Sequence, residues 1–169
     1  MSEGTAVEPA ELIARYRTKG VLLDTNLLVL LAIGIYRPNR VATFKRTKKY
    51  TSEDFSLVDR IVGSFDRRIT TPHILTEAHS LARQLPEAEH SGVAAVFRHL
   101  IEEMFEVHVP AVEAAATKVY PRLGLTDSAI IEASAGILVV TDDLPLSLAL
   151  SKLGRDVINL NHIRLEIWT

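Results

Sequence analysis

Short, unbroken apolar runs alternate along this chain with longer stretches whose apolar positions recur every three or four residues. Val21-Leu22-Leu23 and Ile137-Leu138-Val139-Val140 are too short and too apolar for anything but buried strands. Residues 67–71, 107–109 and 156–160 can hold further strands of the same kind. Between them helical spacing takes over. A short helix is predicted over residues 8–18, stopped by Lys19-Gly20, and an apolar one over 27–33 that must be packed on all sides. Thr51-Ser52-Glu53-Asp54 caps a helix whose stripe is Phe55, Val58, Ile61, Val62 and Phe65. Pro72 opens a helix carrying Ile74, Ala78, Leu81 and Leu85, which Pro86 ends. The clearest stripe is Val93, Val96, Phe97, Leu100, Ile101, Met104 and Phe105. Helices over 110–120, ended by Pro121, over 127–135 and over 144–153 complete the series. Such alternation predicts an α/β fold of three layers, α/β/α, with a parallel central sheet covered on both faces.

A length of 169 residues suits one domain spanning 1–169, with 1–19 as an N-terminal helical extension and 36–51 as a basic loop. With no cysteine, disulfides, thiolate zinc sites and thiol catalysis are excluded. The first residues carry acids where a secretory signal needs positive charge, and the longest apolar run, 27–35, is about half the ~20 residues of a membrane helix. A cytoplasmic protein with no membrane segment is expected. Phosphate loops of the Gly-x-x-x-x-Gly-Lys type, Gly-x-Gly-x-x-Gly, Gly-x-Ser-x-Gly and His-Glu-x-x-His are all missing.

Acids stand where the candidate chemistry lies. Asp24 follows the first strand, and Asp142 and Asp143 follow the run 137–140. Glu77 and Asp127 fall in the opening turns of two predicted helices. In open α/β sheets ligands bind outside the carboxyl ends of the strands, and oxygen donors without sulfur suit Mg²⁺ or Mn²⁺. Asp24 also reads as a helix cap, but Asp-Thr-Asn offers more cap-type residues than one cap needs. Glu77 lies at the edge of its helix's apolar stripe, taking about 100° per residue. Asp127 shares a face with Ile130, Ile131 and Ser134 and points towards the sheet. Of Asp142 and Asp143, one is expected to ligate and the other to cap the helix 144–153. His73, four residues before Glu77, reads as a surface histidine or a proton-handling neighbour of the site.

The formal net charge of −2 gives no global attraction to polyanions, so any nucleic-acid contact needs a local patch. One exists. Arg37, Arg40, Lys45, Arg46, Lys48 and Lys49 fall within thirteen residues without an acid, interleaved with Tyr36, Phe44 and Tyr50. Cations there can neutralise phosphates, and the aromatics can stack on unpaired bases.

Taken in order, Val-Leu-Leu-Asp24-Thr25-Asn26, Thr-Pro-His-Ile-Leu-Thr-Glu77, Gly-Leu-Thr-Asp127-Ser-Ala-Ile-Ile and Leu-Val-Val-Thr141-Asp142-Asp143 resemble the motifs of the PIN-domain ribonucleases. The likeness runs across residues 20–160. It implies a PIN-like fold with a parallel sheet of about five strands and an acidic cleft at the strand ends. It also implies Mg²⁺- or Mn²⁺-dependent endoribonuclease activity that leaves a 5′-phosphate and a 3′-hydroxyl. Asp24, Glu77, Asp127 and Asp143 match the family's acidic quartet, which holds the metal. The fourth motif, Thr-x-Asp, selects Asp143 over Asp142. Asn26 and Thr141 match positions that support the acids by hydrogen bonds. RNA is the implied substrate. Many members are toxins of toxin–antitoxin pairs, so an antitoxin protein and a homodimer are the partners implied. The N-terminal helix and the basic stretch 37–49 depart from the compact toxins.

Two rivals come from other classes. One is a PIN-like module that binds RNA or a protein without cutting. The other is a phosphatase or phosphotransfer receiver on a similar sheet, which wants Asp-x-Asp where this chain has Asn26, or a lysine after a late strand.

Overall fold

A computed structural model describes residues 7–168, and side chains as far as Arg164. Residues 1–6 of the expected N-terminal extension lie outside the described residues. The five strands are β1 (Val21–Leu23), β2 (Arg68–Thr70), β3 (Phe105–Glu106), β4 (Leu138–Thr141) and β5 (Val157–Asn159). They form one parallel sheet in the order β3-β2-β1-β4-β5. Around it lie α1 (Pro9–Tyr16), α2 (Thr25–Tyr36), α3 (Ser52–Gly63), α4 (Pro72–Ala82) and α5 (His90–Glu102). α6 (Ala111–Ala115), α7 (Tyr120–Ala133), α8 (Leu144–Lys152) and α9 (Leu160–Trp168) complete a three-layer α/β/α fold. No helix is long and apolar enough to cross a membrane among the described residues.

Burial explains the strand composition. β1 is central, every one of its residues is buried, and so is all of β4. Strands covered on both faces gain nothing from a polar residue, hence their continuous apolar runs. α2 follows the same logic, since every residue from Leu27 to Gly34 is buried. The chain steps from β1 outward to β2 and β3, then returns to place β4 on the other side of β1. That reversal opens a crevice between the carboxyl ends of β1 and β4, the kind of switch point where such sheets bind ligands.

Several boundaries differ from the sequence pattern. The expected strand 107–109 is displaced: Phe105 and Glu106 pair with Ile69 and Thr70, so α5 stops at Glu102 and Phe105 leaves the helical stripe. Edge pairing outcompetes one more helical turn there. The expected helix 110–120 breaks up because Pro121, which cannot continue a helix, instead occupies the first turn of α7. Gly124, at φ 84°, then interrupts α7 before Asp127, in a conformation that favours glycine. α9 begins at Leu160, where the pattern suggested strand.

The basic segment is no plain solvated loop. Val41, Phe44, Thr47 and Tyr50 are buried, every third residue, along a succession of tight turns that begins with a 3₁₀ turn at Pro38–Arg40. Three residues per turn keep one face inward. Phe44 and Tyr50 therefore belong to the core and are not open for stacking on bases, contrary to the expectation from their spacing.

Candidate functional site

Helices α2, α4 and α8 start at the carboxyl edge of the sheet, each capped by a polar side chain at a strand end. Asp24 caps α2 by accepting the Leu27 N–H at 2.9 Å. Thr71 caps α4 by accepting the Ile74 N–H at 3.2 Å. Asp143 caps α8 by accepting the Leu146 N–H at 2.9 Å. In Asp24 and Asp143 capping uses one carboxylate oxygen and leaves a second. In Asp24 that second oxygen accepts the Thr141 hydroxyl, whose own oxygen accepts the Asp143 N–H at 2.9 Å. β1 and β4 are thus tied through one hydroxyl.

Asp127 and Glu77 close the set from the other side. Glu77 is exposed and accepts a hydrogen bond from the Thr126 hydroxyl, which fixes α4 against the residue preceding Asp127. Asp127 is partly buried and makes no side-chain hydrogen bond among the described residues. Electrostatics joins the four acids. Burial pushes the Asp24 carboxyl up to about 7; the Thr141 and Leu27 hydrogen bonds oppose this, and the charges of Asp142 and Asp127 add to it. Burial likewise raises Asp127 to about 7, helped by the charges of Asp143 and Glu77. Groups that shift one another in this way share one patch.

Asp142 and Asp143 were expected to divide a cap and a ligand between them. Capping falls to Asp143 itself. The Asp142 side chain is 6% exposed and takes the Tyr50 hydroxyl at 2.6 Å and Lys49 at 2.9 Å on one oxygen. Its other oxygen is buried without a partner. Thr141 supports Asp24 as the motif suggests, whereas Asn26 is exposed and makes no side-chain hydrogen bond among the described residues.

The oxygen-only donor set fits a hard divalent cation in chemistry. Among the described residues, however, no three acidic or histidine side chains stand as a ready-made ligand cluster. The protein itself engages both Asp24 oxygens, one of Asp143 and one of Glu77 in hydrogen bonds. Buried polar side-chain atoms without partners are Thr25 Oγ1, Thr70 Oγ1, His73 Nδ1 and Asp142 Oδ1 among the described residues. All four belong to the ends of β1, β2 and β4 or the residues just after them, so unmet polar capacity is concentrated at this edge.

Sequence reasoning missed two cations. Arg122 and Lys152 line, with Asp127 and Asp143, an open space of about 400 Å³. Lys152 had a signal, since Pro145, Leu148, Ala149 and Lys152 lie on one helical face. Arg122 had none, because the break at Gly124 destroys the register with Asp127.

The six cations of the basic segment are not equivalent. Arg40 grips Glu89 with two hydrogen bonds of 3.0 and 2.6 Å, and Arg46 donates to Gln84 at 2.8 Å. Lys49 reaches the acidic edge at Asp142. Arg37 lies over the Tyr36 ring, 5.0 Å from its centre. Lys45 and Lys48 are exposed and make no ion pair among the described residues. Compared with models of known protein families the chain matches none, and a search of curated proteins gives no match either.

Proposed function

We propose that this protein is a PIN-type, Mg²⁺- or Mn²⁺-dependent endoribonuclease that hydrolyses RNA phosphodiester bonds. The observation that carries the reading is the Asp24–Thr141–Asp143 link at the switch point, with Asp127 and Glu77 coupled to it electrostatically. Asp24, Asp127, Asp143 and Glu77 are the residues that would hold the cation. When bound, the ion supplies positive charge to the phosphate oxygens and acidity to a water.

The chain's own part follows from position. Asp24 and Asp143 are immobilised by their caps and give a rigid floor. Glu77, anchored by Thr126 at the mouth, orients the attacking water. Arg122 and Lys152 hold phosphate charge beside Asp127 and Asp143. Water oxygen bonds to phosphorus, the bond to the 3′-oxygen breaks, and that oxygen leaves with a proton, giving a 5′-phosphate and a 3′-hydroxyl. The test is cleavage of labelled RNA with Mg²⁺ or Mn²⁺ by wild type and Asp24→Asn. Metal-dependent cutting lost in the variant supports the reading, and equal cutting by both defeats it.

A non-cleaving RNA-binding module is the second reading, favoured by the exposed Lys45 and Lys48 and by the lack, among the described residues, of a ready-made three-ligand cluster. Salt-sensitive RNA binding that persists in EDTA, with no products at any metal concentration, would establish it. A cytoplasmic location, an antitoxin partner and a homodimer belong to the first reading as further proposals. Light scattering on the purified chain tests the homodimer.

A further inference from the structure

A second cavity, of about 470 Å³, opens beside the acids between α4 and the Leu125–Thr126 turn. It shares Glu77 and Thr126 with the acidic edge, and its chemistry differs from that of the space lined by Asp127 and Asp143. There the lining holds Arg122 and Lys152. Here Pro72, Leu81 and Leu125 supply apolar walls, with His73, Thr76 and Ser80 as polar groups among them. Leu125, 37% exposed, is a large apolar side chain left at the surface at this point. His73, one turn before Glu77, carries a buried ring nitrogen with no partner among the described residues.

We infer that this cavity is a nucleobase subsite that receives the base next to the scissile phosphate. The inference rests on the ribonuclease reading and gives its substrate a shape. A polynucleotide crossing the acidic edge has phosphates that need cations and bases that need flat apolar walls with polar edges. The two spaces, one lined by Asp127 and Asp143 and the other by Glu77, offer these separately. Arg122 and Lys152 take the backbone, while Pro72, Leu81 and Leu125 sandwich a base whose edge meets Thr76, Ser80 and the His73 ring. A base held there is out of its stack, so the RNA is single-stranded at that nucleotide.

The test uses the full chain and single-stranded oligonucleotides with one cleavable linkage. Each of the four bases, or an abasic ribose, is placed on either side. Single-turnover cleavage with Mn²⁺ is one readout, and fluorescence anisotropy in EDTA is the other. For wild type, an abasic nucleotide on one side is expected to lower kcat/KM about tenfold, the scale for losing burial of one base against apolar side chains. Ser80→Trp, which fills the cavity from an exposed position, and Leu125→Ala, which removes a wall, should both erase that difference. Equal cutting of intact and abasic RNA by wild type, or full discrimination retained by both folded variants, overturns the subsite and leaves the ribonuclease reading standing. If nothing is cut, that reading fails and the subsite beside a scissile phosphate falls with it; where cutting is seen, equal anisotropy for intact and abasic RNA overturns the subsite alone.

Discussion

The Thr141 hydroxyl donates to Asp24 across the boundary between β4 and β1 while accepting the Asp143 N–H at 2.9 Å. With one proton and one acceptor role used, its rotor is fixed, and the end of one strand orients the acid of the next. Thr141→Val keeps the shape and removes the donor. The loss is expected to cost about 1.5–3 kcal/mol, the range for a hydrogen bond to a charged group. Because the hydroxyl favours ionised Asp24, its removal should lift that carboxyl further above about 7. Urea unfolding and a carboxyl-carbon NMR titration measure the two effects. An unchanged Asp24 titration would contradict the link.

Stability without metal should fall as pH rises. Asp24 and Asp127 are raised to about 7 in the fold, whereas an unfolded Asp titrates near 3.9. Between these values the folded state binds more protons, so its advantage is complete below about pH 4 and is lost by about pH 7. For buried Asp24 the span corresponds to at most on the order of 4 kcal/mol, and Asp127, better solvated, adds less. Asp24→Asn should flatten most of this dependence in EDTA. A melting temperature that climbs steadily from about pH 5 to 8 in the wild type would reverse the sign and refute it.

Metal should act in the opposite sense. Protons and a divalent cation compete for the same oxygens. Mn²⁺ is therefore expected to raise the melting temperature at about pH 8 and to do little near pH 5. Asp24→Asn should be more stable than wild type in EDTA at the higher pH and should lose the response to Mn²⁺. Calorimetric scans with and without Mn²⁺ check this without any substrate.

Much of the fold was legible because unbroken apolar runs have few alternatives. Val21–Leu23 and Leu138–Val140 are buried parallel strands, and α2 is buried throughout. The acids at strand ends were legible for the same reason, since a strand's end fixes where the next residue lies. What failed depended on distant partners. Phe105 continues the α5 spacing but pairs with Ile69, a choice made by β2 and invisible locally. Phe44 and Tyr50 read as free aromatics among cations, yet a period of three sends them inward. The hold of Tyr50 and Lys49 on Asp142 spans more than ninety positions of sequence.

Gly34 tests the close approach of α2 and α3. A Cβ there would lie 2.1 Å from Phe55 Cδ2 and 2.6 Å from Phe55 Cγ, near the root of the ring rather than at a flexible tip. Gly34→Ala gains about 1 kcal/mol of helix propensity. Overpacking of this kind costs about 1–3 kcal/mol, and the clash is severe enough to place it at the upper end. Net destabilisation is expected in urea unfolding, and Phe55→Ala in the same chain should relieve part of it. A more stable Gly34→Ala would mean the helices are farther apart than described.

The basic segment should split into structural and binding cations. Arg40 is held by Glu89 on two oxygens in a partly exposed pair, so Arg40→Ala removes a structural contact and should lower stability more than RNA affinity. Lys45 and Lys48 project from the outer side of the same turns, whose inner side is Phe44 and Thr47. Lys45→Ala and Lys48→Ala should leave the melting temperature unchanged. If each neutralises one phosphate, each should reduce the salt dependence of RNA binding by roughly one unit of slope. The pairs Lys45→Ala with Lys48→Ala, and Arg40→Ala with Glu89→Ala, separate the two roles when affinity is measured across a salt series. Should Arg40→Ala alter the slope as much as Lys48→Ala does, the division fails, because a guanidinium already paired with a carboxylate has little charge left to offer a phosphate.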